Sequence, residues 1–168
     1  MKRQKGFSLI ELLIVVAIIL IIAAIAIPNL LRARIAANES SAVSSVRTVN
    51  TAEVSYQTSY PTTGYSATMA TLGGAAPCTP AIATACLIDN VLAGGAKSGY
   101  NFAEAGANPV NGANTTYTVG AAPVAYNQTG VRQFGSIEDG VVRWDPNAAQ
   151  NTAGITVSAT VSAWSALQ

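Results

Sequence analysis

The chain has 168 residues, room for one modest domain and an anchor, and its nine Lys and Arg against eight Asp and Glu recruit neither nucleic acid nor an acidic substrate by charge. It contains no histidine, which removes His-based triads, imidazole bases and histidine metal ligands. Half of its residues are hydrophobic, but these are concentrated before Asn29; the rest, rich in Ala, Thr, Ser, Gly and Asn, reads as a soluble region.

In chain order, residues 1–6 carry Lys2, Arg3 and Lys5, a basic start that the positive-inside tendency holds in the cytoplasm against Arg32 and Arg34 beyond the apolar run. Sixteen successive apolar residues fill 12–27, and Phe7, Leu9 and Ile10 extend the run upstream past one carboxylate, Glu11. About 20 helical residues at ~1.5 Å each cross a hydrocarbon core of about 30 Å, so 7–27 spans one. A carboxylate inside such a span is costly without a partner. Ala24-Ile25-Ala26 also fits the cleavage site of an ordinary secretory signal. Glu11 interrupting the apolar stretch, its length, and a helical pattern continuing past Ala26 all oppose that reading.

The run Lys5-Gly6-Phe7-Ser8-Leu9-Ile10-Glu11, followed by the apolar stretch and Ile27-Pro28, resembles the class III signal of type IV pilins and the related pseudopilins. The short basic leader and the Phe at the mature start are similar to the type IVa subclass. The resemblance implies cleavage after Gly6 by a prepilin peptidase that also N-methylates Phe7, with the apolar segment kept as an anchor in the inner membrane. It further implies that Glu11 neutralises the terminal amine of a neighbouring subunit, which in isolation meets only the positive end of its own helix dipole. The implied partners are other pilin subunits in a homopolymer, the peptidase and methylase, and an inner-membrane assembly platform. The implied product is an extracellular filament used for motility, adhesion or DNA uptake. No cofactor and no enzymatic activity is implied.

Pro28 falls inside the helical pattern, where it withholds a hydrogen bond from the Ala24 carbonyl and predicts a kink or hinge rather than an end. Many family members carry a glycine midway along the apolar run; here that position is Leu20, a good helix former. Beyond Pro28, Ile35, Ala42, Val43, Val46, Val49, Ala52 and Tyr56 recur at helical spacing among polar residues. One helix is therefore predicted from about Ser8 to Ser59, roughly 75 Å long at the standard rise, apolar all round in 7–28 and amphipathic in 29–59. Arg32, Arg34 and Arg47 read as a solvated face, and the helical aromatics Phe7, Tyr56 and Tyr60 are too sparse for a continuous aromatic path.

Tyr60-Pro61 and Gly64 stop the helix. Residues 60–96 form a connecting loop with short helical turns near 67–72 and 87–92. Cys78 and Cys86, an even pair on an exported region, favour a disulfide; two free thiols or half a zinc site are the other readings, the latter without further Cys or His to complete it. Over 97–145 the periodicity changes to that of strands, at 100–105, 115–119, 131–137 and 141–144, with a hairpin signal at Glu138-Asp139-Gly140. An antiparallel sheet of about four strands packed on the helix stripe makes the expected fold α+β, which resembles the pilin head. In the tail 146–168, the alternation at 155–163 fits one half-buried strand or a segment lying extended over the head surface.

Two other chemistries are compatible with the residues. Glu138, Asp139 and Asp145 are the nearest approach to a cation site, as some secretion pseudopilins hold calcium near their last strands, but they match no oxygen-ligand loop. Asn38, Asn114 and Asn127 each open an N-glycosylation triplet. The expected function is thus a major type IV pilin, with a type II secretion pseudopilin and a secreted binding protein as alternatives.

Overall fold

A computed structural model of the chain describes residues 7–146 and 158–167. Its first helix, α1, is Leu9–Ser59 and continues through Pro28. The chain divides into two compact units at Arg34 and Ile35, and each is described by itself.

Every position of the first unit from Leu12 to Ile27 is Leu, Ile, Val or Ala, and every described side chain of that unit is exposed except the half-buried Ala23. No amphipathic stripe exists there because no side is polar. Such a segment satisfies its backbone internally as a helix, the arrangement that hydrocarbon requires.

The second unit takes up α1 where it becomes amphipathic. Glu39, Ala42, Ser45, Val46, Val49, Ala52, Glu53 and Tyr56 are its buried residues, recurring every three or four positions along one face. Against this face lies a six-stranded antiparallel sheet with strands in sequential order. Its strands are β1 (Ala96–Lys97), β2 (Tyr100–Val110), β3 (Ala113–Pro123), β4 (Gln133–Ile137), β5 (Arg143–Asp145) and β6 (Ser165–Ala166). The four expected strands are all present. The two additions, β1 and β6, have two residues each, too few to show any alternation.

The longest pairing joins β2 to β3, from Tyr100 opposite Pro123 to Val110 opposite Ala113. Asn111 and Gly112 turn this hairpin with φ of 53° and 86°. That double left-handed turn suits the twist of the flanking strands and takes Asn-Gly because few other pairs adopt it cheaply. From the sheet, Tyr100, Phe102, Tyr117, Val119, Ala121 and Phe134 meet the α1 stripe in one core.

The connection between α1 and the sheet holds α2 (Met69–Leu72) and α3 (Asn90–Ala93), close to the expected turns. Leu72 and Leu92 are fully buried beneath it. Residues 85–88 run against 71–73, with Ala85 N donating to the Thr71 carbonyl at 2.8 Å and Leu87 N to that of Leu72 at 2.7 Å.

The tail departs from expectation. The alternation at 155–163 falls partly outside the described residues, and its described part is a short helix, α4 (Ser158–Ser162), rather than a strand. Val161 is buried there and packs with Ile137 and Trp164. The physical reason lies in β4, all five of whose residues are buried, so its outer face needs a cover. Gly135 lets the cover approach: a Cβ there would stand 3.0 Å from the Val161 methyls. In the described part of the tail, the alternating residues therefore fall on a helix, not on a pleated strand.

Candidate functional site

The N-terminal residues singled out by sequence lie in the first unit. Gly6 is outside the described residues. Phe7 is 84% exposed and precedes the helix. Ser8 occupies the capping position: its carbonyl accepts from Leu12 N at 3.3 Å, and its own N–H donates to Glu11 Oε2 at 2.9 Å. This is the return half of a capping box, in which an acid three residues into the helix satisfies the cap's amide. Sequence reading assigned Glu11 to a neighbouring subunit and overlooked this local partner. The signal was present, since Ser8 and Glu11 have the Ser-x-x-Glu spacing.

Pro28 lies within the continuous α1, flanked by the exposed Ile27 and Leu30. From Phe7 through Leu31, seventeen large apolar side chains are exposed, each 46% or more. Covering one such side chain is worth about 1.5 to 3 kcal/mol, so this surface is stable only in lipid or against other apolar surface. The helix is long and apolar enough to cross a membrane.

Cys78 and Cys86 are joined in a disulfide, with Cα atoms 6.0 Å apart. It closes the stretch that folds against 71–73. Gly74 sits so tightly over it that a Cβ would come within 2.0 Å of the Cys78 sulfur.

The acids of the sheet are engaged in other ways than the cation-site reading supposed. Asp139 pairs with Arg143 through both guanidinium Nη atoms and caps Val141 N at 2.9 Å. The bond to Arg143 holds its carboxyl below the usual range. Asp145 accepts from Gln133 Nε2 at 2.7 Å, and Glu138 is exposed. Among the described residues no group of three or more acids or cysteines forms a metal cluster. Of the three glycosylation triplets, Asn38 donates its amide to the Thr129 carbonyl at 2.9 Å and Asn114 to that of Tyr65 at 3.1 Å. Asn127 is exposed in a turn.

Polar residues that sequence reading passed over tie α1 to the rest of the second unit. Glu39 is buried and accepts from Val131 N, Arg132 N and the Arg132 guanidinium. Glu53 is wholly buried against Ser66. Both fall on the apolar stripe at helical spacing, which was the available signal.

Residues 1–27 match the family model of the prokaryotic N-terminal methylation motif. The chain is 65% identical over 40 residues to the type IV wide pilus major component PilA4 of Thermus thermophilus, a match covering 24% of this chain and 30% of that protein. It is 48% identical over 54 residues to the type IV major pilin protein PilA of Myxococcus xanthus, covering 32% of this chain and 24% of the relative. The matches thus span less than a third of either relative's length. No solved structure matches the chain. The methylation motif, the named relatives and the union of a long N-terminal helix with an antiparallel sheet make this chain similar to the type IV pilins.

Proposed function

We propose that the chain is the structural subunit, of the major pilin kind, of a type IV pilus, polymerising through α1 into a surface filament and carrying no catalytic activity. The observation that carries this reading is the run of exposed apolar side chains from Phe7 to Leu31, joined to a methylation motif at the N-terminus. A helix apolar on every side needs an apolar environment on every side. Lipid supplies it before assembly; helices of neighbouring copies supply it afterwards.

In this reading the leader 1–6 stays cytoplasmic, cleavage follows Gly6, and Phe7 becomes the methylated mature terminus of a subunit anchored once in the inner membrane. The new ammonium of Phe7 lies at a helix N-terminus, where the dipole is already positive. Glu11 of an adjacent copy neutralises it, and the Ser8 amide that Glu11 holds meanwhile keeps the carboxylate oriented. Pro28 provides the place where the helix yields during packing, and Leu20 keeps the preceding turns stiff.

Mass spectrometry of the mature N-terminus tests the assignment. Methylated Phe7 is expected, and a terminus at Ile27 would replace the proposal with a conventionally secreted protein. Electron microscopy of sheared surface fibres with peptide identification tests the polymer: fibres built of this chain support it, whereas a processed chain confined to the cell envelope favours the pseudopilin reading.

A further inference from the structure

Ser66, on the segment between α1 and α2, stands between two buried carboxyls: Glu53 of α1, 0% exposed, and Glu104 of β2, 6% exposed. Its N–H donates to Glu53 Oε2 at 2.9 Å and its hydroxyl to Glu53 Oε1 at 2.6 Å. Glu104 Oε2 lies 3.0 Å from the same hydroxyl oxygen. A serine hydroxyl owns one proton, and the shorter contact to Glu53 takes it. The contact to Glu104 is then a hydrogen bond only if Glu104 brings the proton. We infer that Glu53 and Glu104 hold one proton between them, and that this proton latches the Ser66 segment onto α1 and β2.

Among the described residues, no ion pair neutralises the two carboxyls. Tyr56 of α1, Tyr65 of the connecting segment and Tyr117 of β3 are the titratable groups that feel it. The Tyr56 hydroxyl donates to the Ile82 carbonyl at 2.8 Å and that of Tyr117 to Asn50 Oδ1 at 3.0 Å. Among the described residues, the Lys and Arg ion pairs are made to Asp89, Glu39 and Asp139. Among the described residues, Glu104 Oε1 is buried without a hydrogen-bond partner, which a neutral acid tolerates far better than a carboxylate does. Burial, and then the neighbouring Glu53 charge, push the Glu104 carboxyl up to about 9. Burial likewise raises Glu53, while the two hydrogen bonds from Ser66 hold it down, so the shared proton rests on Glu104.

The direction of the response follows. A carboxyl with a raised pKa in the folded state stabilises most fully below its unfolded value and loses that contribution as pH rises toward the folded value. Above it, two carboxylates flank one hydroxyl, and among the described residues neither makes an ion pair. Glu53 and Glu104 are fixed in α1 and β2, so the Ser66 segment is the part that opens to water.

The test uses the full chain in detergent micelles, unfolded by denaturant at a series of pH values, with Glu104→Gln beside the wild type. From about pH 5 to pH 9 the wild-type unfolding constant should rise by up to about tenfold per pH unit, and Glu104→Gln should abolish most of that slope. Infrared spectra of the wild type at neutral pH should show a protonated-carboxyl band that titrates away on the alkaline side, a readout that stands even if the variant does not fold. A flat or inverted wild-type slope, an unchanged slope in Glu104→Gln, or the absence of that band would overturn the inference.

Discussion

Glu39 on α1 grips Arg132, 93 residues later, through Nε at 2.9 Å and Nη2 at 2.7 Å, while its Oε1 accepts the backbone N–H groups of Val131 and Arg132. One buried carboxylate thereby fixes the entry to β4 and aims the guanidinium over the rings of Phe134 and Trp144, each 5.5 Å away. Glu39→Ala leaves two amides and a guanidinium unpaired. The expected loss is about 2 to 3 kcal/mol, moderated because Arg132 can still reach water. Denaturant unfolding measures it, and a loss below about 0.5 kcal/mol would mean the contact is merely a surface ion pair.

The disulfide yields a second expectation. Replacing Cys78 and Cys86 by serine frees a short loop and should cost about 2.5 kcal/mol in the loop-entropy model. Gly74→Ala should also destabilise the bonded protein, because its Cβ collides with the Cys78 sulfur. Thiol labelling before and after reduction checks the bond, and equal stability of Gly74→Ala and wild type would show that this packing is loose.

Acid should destabilise the second unit as alkali does, through groups shifted in the opposite direction. Asp89 is lowered by its bond to Lys97 and by capping Leu92 N, and Asp139 by its bond to Arg143. Groups with lowered values stabilise above the ordinary carboxylate pKa, and that contribution is lost as pH falls through the folded value. Combined with the raised Glu104, stability should peak at mildly acidic pH and fall on both sides. Thermal melts of the full chain across pH would show this, and a maximum above about pH 8 would contradict it.

Glu11→Ala separates anchoring from assembly. It removes the Ser8 capping contact, worth about 0.5 to 1 kcal/mol at the helix end, while leaving the apolar run unchanged. Processing and membrane insertion should persist and filaments should be scarce. Abundant filaments of normal length from this variant would remove the proposed pairing of Glu11 with a neighbour's terminus.

The residues themselves determined the features that arise locally. The apolar run ending at Ile27, the three-and-four spacing from Ala42 to Tyr56 and the β-rich stretches around Tyr117 and Phe134 each announce an element, because periodicity is set within a few residues. The methylation motif is contiguous, so it was legible in full. Only the tertiary structure decided which buried polar residues meet. Nothing near Glu39 indicates Arg132, and nothing near Ser66 indicates Glu104, 38 residues away. The same holds for β1 and β6, whose two residues become strands only because a neighbour offers free backbone groups. It holds also for α4, helical where alternation suggested a strand, because Val161 covers a sheet face opened by Gly135. Such contacts depend on burial and on partners that chain folding alone brings together.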